Sequence, residues 1–284
     1  MFHASLFLLL LSAQIPGAAP QEAPPQVPAP TYDQGPLRLE VMAMRELRFW
    51  ASEPEFAERL AAQAQFNIQW RIRGERITQV VRLGNVILTE LVDSTGQSLL
   101  DPNSIPETER TMTRALSPQQ QAGLAKEGLI VQTRAKPSSR AAQKLNVIRG
   151  AIRLILADKT EKLTIADPLQ FYGRTIEDPR LKELGIEIKI LPAEELENPR
   201  PANRSLLLQY VSKGDHIQSA TFYDGAMKRV PAPDNQALTK SGATCLLFTF
   251  DAAPINNEWQ LVLEVHPQID EIQLPVVLEN VDLP

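Results

Sequence analysis

The chain has 284 residues with 29 Lys and Arg against 34 Asp and Glu, a formal net charge of −5. Residues 37–142 carry 14 basic and 12 acidic side chains and residues 143–284 carry 15 and 20, so neither half is basic enough for a nucleic-acid binder. The single cysteine, Cys245, rules out an intramolecular disulfide and a cysteine-rich zinc site.

Taken from the start, Leu6 to Leu11 form an apolar run too short to span a bilayer, followed by the small residues Gly17, Ala18 and Ala19. This is the pattern of a secretory signal peptide, although His3 is the only basic residue ahead of the run. The proline-rich QEAPPQVPAP that follows reads as an extended linker. The expected organisation is a signal peptide over 1–19, a Pro/Ala-rich linker over 20–36, and two β-sandwich domains over 37–142 and 143–284. The expected location is periplasmic or secreted at the cell surface, with no stable membrane insertion after the signal is cleaved.

The stretch FNIQWRIRGERITQV, from Phe66 to Val80, alternates. Phe66, Ile68, Trp70 and Ile72 share one face, and Asn67, Gln69, Arg71 and Arg73 share the other, the signature of a half-buried strand. Gly74-Glu75 fits the two-residue loop of a type II′ hairpin, which would set Ile72 opposite Ile77 and Arg73 opposite Arg76. In that register Arg71, Arg73, Arg76 and Arg82 form one outward arginine face. Such a face could take carboxylate, sulfate or phosphate through guanidinium forks, or simply be solvated with Glu75 partly neutralising it.

The same pattern returns in LLLQYVSKGDHIQSA, from Leu206 to Ala220. Trp70 meets Tyr210, Gly74 meets Gly214, Glu75 meets Asp215 and Arg76 meets His216. Each copy also has a later acidic-glycine turn, at Asp93 and Gly96 and again at Asp224 and Gly225. A period this long indicates duplicated domains instead of a solenoid of short repeats. Other short Val-, Ile- and Leu-rich runs, bounded by Gly, Pro, Asn or Asp, complete a strand-rich reading, and Pro275 marks an edge strand. Helical signals are brief: Ser52–Ala62, Ser117–Lys126 and Asp178–Leu184. The predicted fold is all-β, two tandem immunoglobulin-like antiparallel sandwiches with a few short helices.

Motifs for catalysis and cofactors are lacking: no G-x-S-x-G, H-E-x-x-H, P-loop, dinucleotide fingerprint or EF-hand loop occurs. Cys245 lies in ATCLLFTF, where a buried thiol is expected; His216, at the Arg76-equivalent position, reads as a solvated hairpin residue, and His266 with Glu264 offers too few ligands for a zinc site. Asp93 and Asp224 suit turns whose carboxylates bind nearby backbone N–H groups. With its leader, linker and ending IQLPVVLENVDLP, the chain resembles uncharacterised exported bacterial proteins with tandem immunoglobulin-like β-sandwich domains. The resemblance implies an envelope location and no particular activity. The expected function is therefore non-catalytic: a binding or structural protein of the cell envelope that contacts a protein partner through sheet faces or loops. The alternatives are a module binding an anionic polysaccharide through the arginine face, and a hydrolase whose carboxylates belong to no known motif.

Overall fold

A computed structural model of the chain describes residues 31–48, 64–101, 105, 112–192, 204–232, 234–240, 243–250 and 254–283. The leader, most of the linker, Trp50 and the helix expected over Ser52–Ala62 lie outside the described residues.

The protein is all-β, with its strands paired antiparallel in four sheets. The first sheet has the order β1-β2-β3-β6, with β1 at Thr31–Gln34, β2 at Leu37–Leu47, β3 at Gln65–Arg73 and β6 at Leu129–Ala135. The second has the order β15-β7-β4-β5, with β4 at Val80–Asp93, β5 at Thr113–Ala115, β7 at Lys144–Leu156 and β15 at Asp270–Asp282. These two enclose one core, in which Phe66, Ile68, Trp70 and Ile72 meet Leu91, Ile152, Leu154 and Val276. The third sheet has the order β12-β13-β10-β9, from Asp234–Lys240, Ala243–Thr249, Ser205–Ser212 and Glu187–Pro192. The fourth has the order β11-β14-β8, from Ile217–Tyr223, Gln260–Val265 and Glu161–Ala166. Between the third and fourth sheets lies a second core, where Phe222, Phe248, Phe250 and Trp259 form an edge-to-face aromatic cluster.

Two helices punctuate the described strands. The helix α1, Pro118–Glu127, begins with a capping box between Ser117 and Gln120; α2, Pro179–Leu184, is capped by Asp178, whose carboxylate accepts from Arg180 and Leu181 N–H.

The expected cut between residues 142 and 143 does not follow the cores. Leu145, Ile148, Ile152 and Leu154 of β7, and Leu274, Val276 and Leu278 of β15, all belong to the first core. The second core is built from the chain between them. The chain thus leaves the first core after β7 and returns to it only in β15. After β7 the chain crosses through four residues, 157–160, into β8, the edge strand beside β14. After β14 it crosses back through 266–269 into β15, the edge strand beside β7, where Pro275 sits without breaking an interior ladder.

The type II′ hairpin is not formed. Strand β3 pairs with β2 and β6, and β4 pairs with β5 and β7, so residues 74–79 carry the chain from one sheet to the other. A 3-10 turn at Ile77–Gln79 makes the crossing, with Ile77 N–H donating to Gly74 O. Ile72 and Ile77 both face the core, as the alternation requires, but from opposite walls of the sandwich. Gly74 sits at φ +144°, and a Cβ there would lie 2.1 Å from Pro36 O, so the crossing is pressed against the β1–β2 turn. The second copy crosses in the same way, through a 3-10 turn at Gly214–His216.

The later turns also correspond. Asp93 Oδ1 accepts from Thr95 and Gln97 N–H, and Asp224 Oδ1 accepts from Ala226 and Lys228 N–H. The backbone bonds Leu99 N–H to Leu91 O and Val230 N–H to Phe222 O close both turns alike, at 2.8 Å each.

Candidate functional site

The four arginines of the expected site are not brought together. Arg71 and Arg73 stand on the outward face of the first sheet, since their neighbours Trp70 and Ile72 are core residues. Arg76 lies in the crossover, where Nε donates to Gln79 Oε1 at 2.5 Å and Nη2 to Asp270 Oδ2 at 2.6 Å. Arg82 is buried. Alternation beyond Gly74 does not continue the outward face of β3, because β4 belongs to the other sheet.

Arg82 instead anchors a charged junction between the cores. Its Nη1 donates to Ile217 O at 2.6 Å, Nε to Thr113 Oγ1 at 2.9 Å and Nη2 to Thr113 O at 2.9 Å. Asp215, the turn acid of the second crossover, accepts from Thr113 Oγ1 at 2.6 Å and Arg153 Nη2 at 3.1 Å, and lies 3.4 Å from Arg82 Nε. Arg153 also donates through Nε and Nη2 to Glu271, at 2.8 Å each. Burial lowers the pKa of Arg82, with Asp215 opposing the shift. Hydrogen bonding to Glu271 raises that of Arg153 and holds the Glu271 carboxyl below the usual range.

The two histidines close the same junction. His216 Nδ1 donates to His266 O at 2.7 Å, and His266 N–H donates to His216 O at 2.7 Å. The His266 ring is buried between the two connecting segments, with Nδ1 3.0 Å from Lys159 O and Nε2 3.2 Å from Gln218 Oε1. Burial lowers its pKa, and the nearby Arg82 and His216 act in the same direction. His216 is thus a docking residue, not the solvated turn residue its match with Arg76 suggests. Among the described residues, no group of three or more His, Cys, Asp or Glu side chains is placed to hold a metal ion. No described helix is long and apolar enough to cross a membrane.

Asp93 is fully buried; burial alone would raise its pKa, but bonds from Thr95, Ser139 and Gln97 together hold it below the usual range. It is therefore a charged turn anchor. A cleft of about 550 Å³ lies between β4 and β6, lined by Asn85–Thr89, Asp101 and Gln132–Ala135 among others. It brings the Asp101 carboxylate, the Asn85 and Gln132 amides and the Arg134 guanidinium to one opening.

The outward face of the first sheet gathers arginines that the linear reading did not connect. Register places Arg38 opposite Arg73, Glu40 opposite Arg71, Arg45 opposite Asn67, and Asn67 opposite Arg134. The signal was available in LIVQTRA, where Arg134 takes a polar alternate position, but Arg38 and Arg45 are seven residues apart and share a face only because β2 shifts register between Val41 and Ala43. What the sequence does not contain is the order of the three strands. Comparison with known proteins finds no matching family model, no matching curated protein and no matching solved structure.

Proposed function

We propose that this chain is an exported, non-catalytic binding protein of the cell envelope, built from two immunoglobulin-like sandwiches that act as one rigid unit. The sandwich assignment is supported by strand order. The β9-β10-β13-β12 sheet over β11-β14-β8 has the four-and-three arrangement of constant-type immunoglobulin domains, with β8 in the last position. Export is supported by the apolar Leu6–Leu11 run and the Pro/Ala tract behind it.

The observation that carries the binding reading is where the perturbed charges go. Arg82, Arg153, Glu271, Asp93 and His266 are all bound into contacts that hold the fold together. A catalytic site would aim such groups into a cleft around a substrate. Rigid units with exposed sheet faces suit recognition, because little ordering entropy is lost on association.

The test is proximity cross-linking of the full chain in its native envelope, with a panel of envelope polymers and proteins assayed for both binding and turnover. A component bound in stoichiometric amount and released unchanged is expected. Catalytic conversion of any panel member would overturn the reading.

A further inference from the structure

We infer that the outward face of the first sheet is a binding surface for a carboxylate-bearing polysaccharide. The inference rests on the binding reading above and names its ligand. On β2, β3 and β6 five arginines, Arg38, Arg45, Arg71, Arg73 and Arg134, share this face with one carboxylate, Glu40. Glu40 pairs with Arg38 at 3.3 Å, and β1 adds Asp33 at the register position beside Arg38. Arg45, Arg71, Arg73 and Arg134 make no ion pair with any described residue. The Arg71 Nε is buried without a hydrogen-bond partner.

A folded chain of net charge −5 has ample carboxylates with which to neutralise surface arginines, and it does so at Arg76, Arg149, Arg153 and Arg180. On the outward face of the first sheet, Arg38 alone is so paired among the described residues. Arg38 and Arg73 are directly opposed across β2 and β3, a like-charge arrangement that Glu40 offsets at Arg38 while Arg73 pairs with no described carboxylate.

The layout specifies the ligand further. One basic row contains Arg45 and Arg134 and flanks Asn67; the next contains Arg71, with Arg73 beyond it. The four residues from Asn67 to Arg71 separate these rows by about 13 Å at the rise of a strand. Between them lies an amide row, Gln69 opposite Gln132. Guanidinium rows suit carboxylates at intervals along an extended polymer, and the amides suit hydroxyls in between. A protein interface would want aromatic or aliphatic anchors at its centre. This face has no aromatic side chain on β2, β3 or β6, and its exposed large apolar residues among those described, Met42 on β2 and Ile130 on β6, stand two strands apart.

The experiment is titration of the full chain with a polyuronate, with a neutral glucan and polyglutamate as comparison ligands. Wild type, the triple variant R71Q/R73Q/R134Q and R76Q are measured over a range of salt. Polyuronate is expected to bind with an affinity that falls as salt rises, and the triple variant to bind about tenfold more weakly with a shallower salt dependence. R76Q, already engaged with Asp270, is expected to bind as wild type does. Urea midpoints equal to wild type establish that the variants are folded; a variant that is not is replaced by R45Q/R134Q, whose side chains are both exposed. Absence of polyuronate binding, an unchanged triple variant, or equal binding of polyglutamate each overturns the inference. A protein captured in the envelope while polyuronate fails leaves the binding reading standing without it. Cleavage of polyuronate would overturn the non-catalytic reading and leave the surface assignment intact.

Discussion

The two crossovers, Gly74–Gln79 and Lys213–His216, share a backbone course and differ in employment. In the first, strain falls on Gly74, pressed against Pro36, and Glu75 points to the surface. In the second, the positive φ of +51° falls on Lys213, and Asp215 and His216 reach into the other half of the molecule. The same kind of turn occurs twice, and its polar residues are docking groups only where the second core meets the first. The chain passes that junction twice, through 157–160 on the way out of the first core and 266–269 on the way back, so its polar bonds form between pre-placed groups.

By that contrast Arg76 and Arg82, six residues apart in sequence, should behave very differently. Arg82→Met leaves Asp215 partly buried with one cation fewer, and strips Ile217 O and Thr113 of their donor. A loss of about 3–5 kcal/mol is expected in urea unfolding, the range for breaking a buried pair. Arg76→Ala removes a pair whose Asp270 carboxylate is largely exposed, and should cost about 0–1 kcal/mol. Equal effects at the two sites would remove Arg82 from the role given to it here.

The crossovers themselves can be compared through their glycines. Gly74→Ala forces a Cβ onto Pro36 O at a φ that L-residues rarely adopt, and a loss of roughly 1–3 kcal/mol is expected. At Gly214 φ is not positive and the nearest atom to an added Cβ is the Tyr210 Cβ at 3.0 Å. Gly214→Ala should therefore cost less, and thermal midpoints of the two variants measure the difference. Among the paired turns, Asp93→Ala should cost roughly 1–3 kcal/mol, because a buried carboxylate there serves Thr95, Gln97 and Ser139. Asp224 satisfies only its own turn, and its bonds are exposed. The same chemical denaturation series should rank Asp224→Ala well below Asp93→Ala.

These contrasts also mark what could be read in advance. The alternation of Phe66 to Arg73, the Ser117 cap and the Asp93 and Asp224 turns are local, and each was legible because its physical cause lies within a few residues. The partner of β3 is not local. A period of two records which face a side chain takes, never which strand lies alongside, so Gly74 read equally well as a hairpin or as a crossing. The same limit misplaced Arg82. Its setting in VVRLG, with Val80, Val81 and Leu83 all buried, was the one available hint that a run of apolar neighbours encloses the arginine. Its partners, Thr113, Asp215 and Ile217, are 31 to 135 residues away. Nor could the return of β15 to the first core be seen, since a strand's own pattern does not say which sheet edge it joins.

Histidine 266 tests the junction by pH. Its folded pKa lies below the unfolded value of about 6.5, so the folded protein takes up its proton later than the unfolded chain as pH falls. The stability associated with the neutral ring is fully present above pH 6.5 or so. It declines below that point, by at most about 1.4 kcal/mol per pH unit, until the folded pKa is reached. The groups that bear on the ring are Arg82 and His216, which disfavour its charge, the Lys159 carbonyl and Glu264, which favour it, and Gln218 at the second nitrogen. Urea midpoints at pH 8, 7, 6 and 5.5 should fall across this window for the wild type. His266→Gln, which retains polar atoms for Lys159 and Gln218 but has no proton to gain, should flatten the decline even if it lowers stability throughout. An undiminished decline in that variant would place the titration elsewhere and leave the junction insensitive to mild acid.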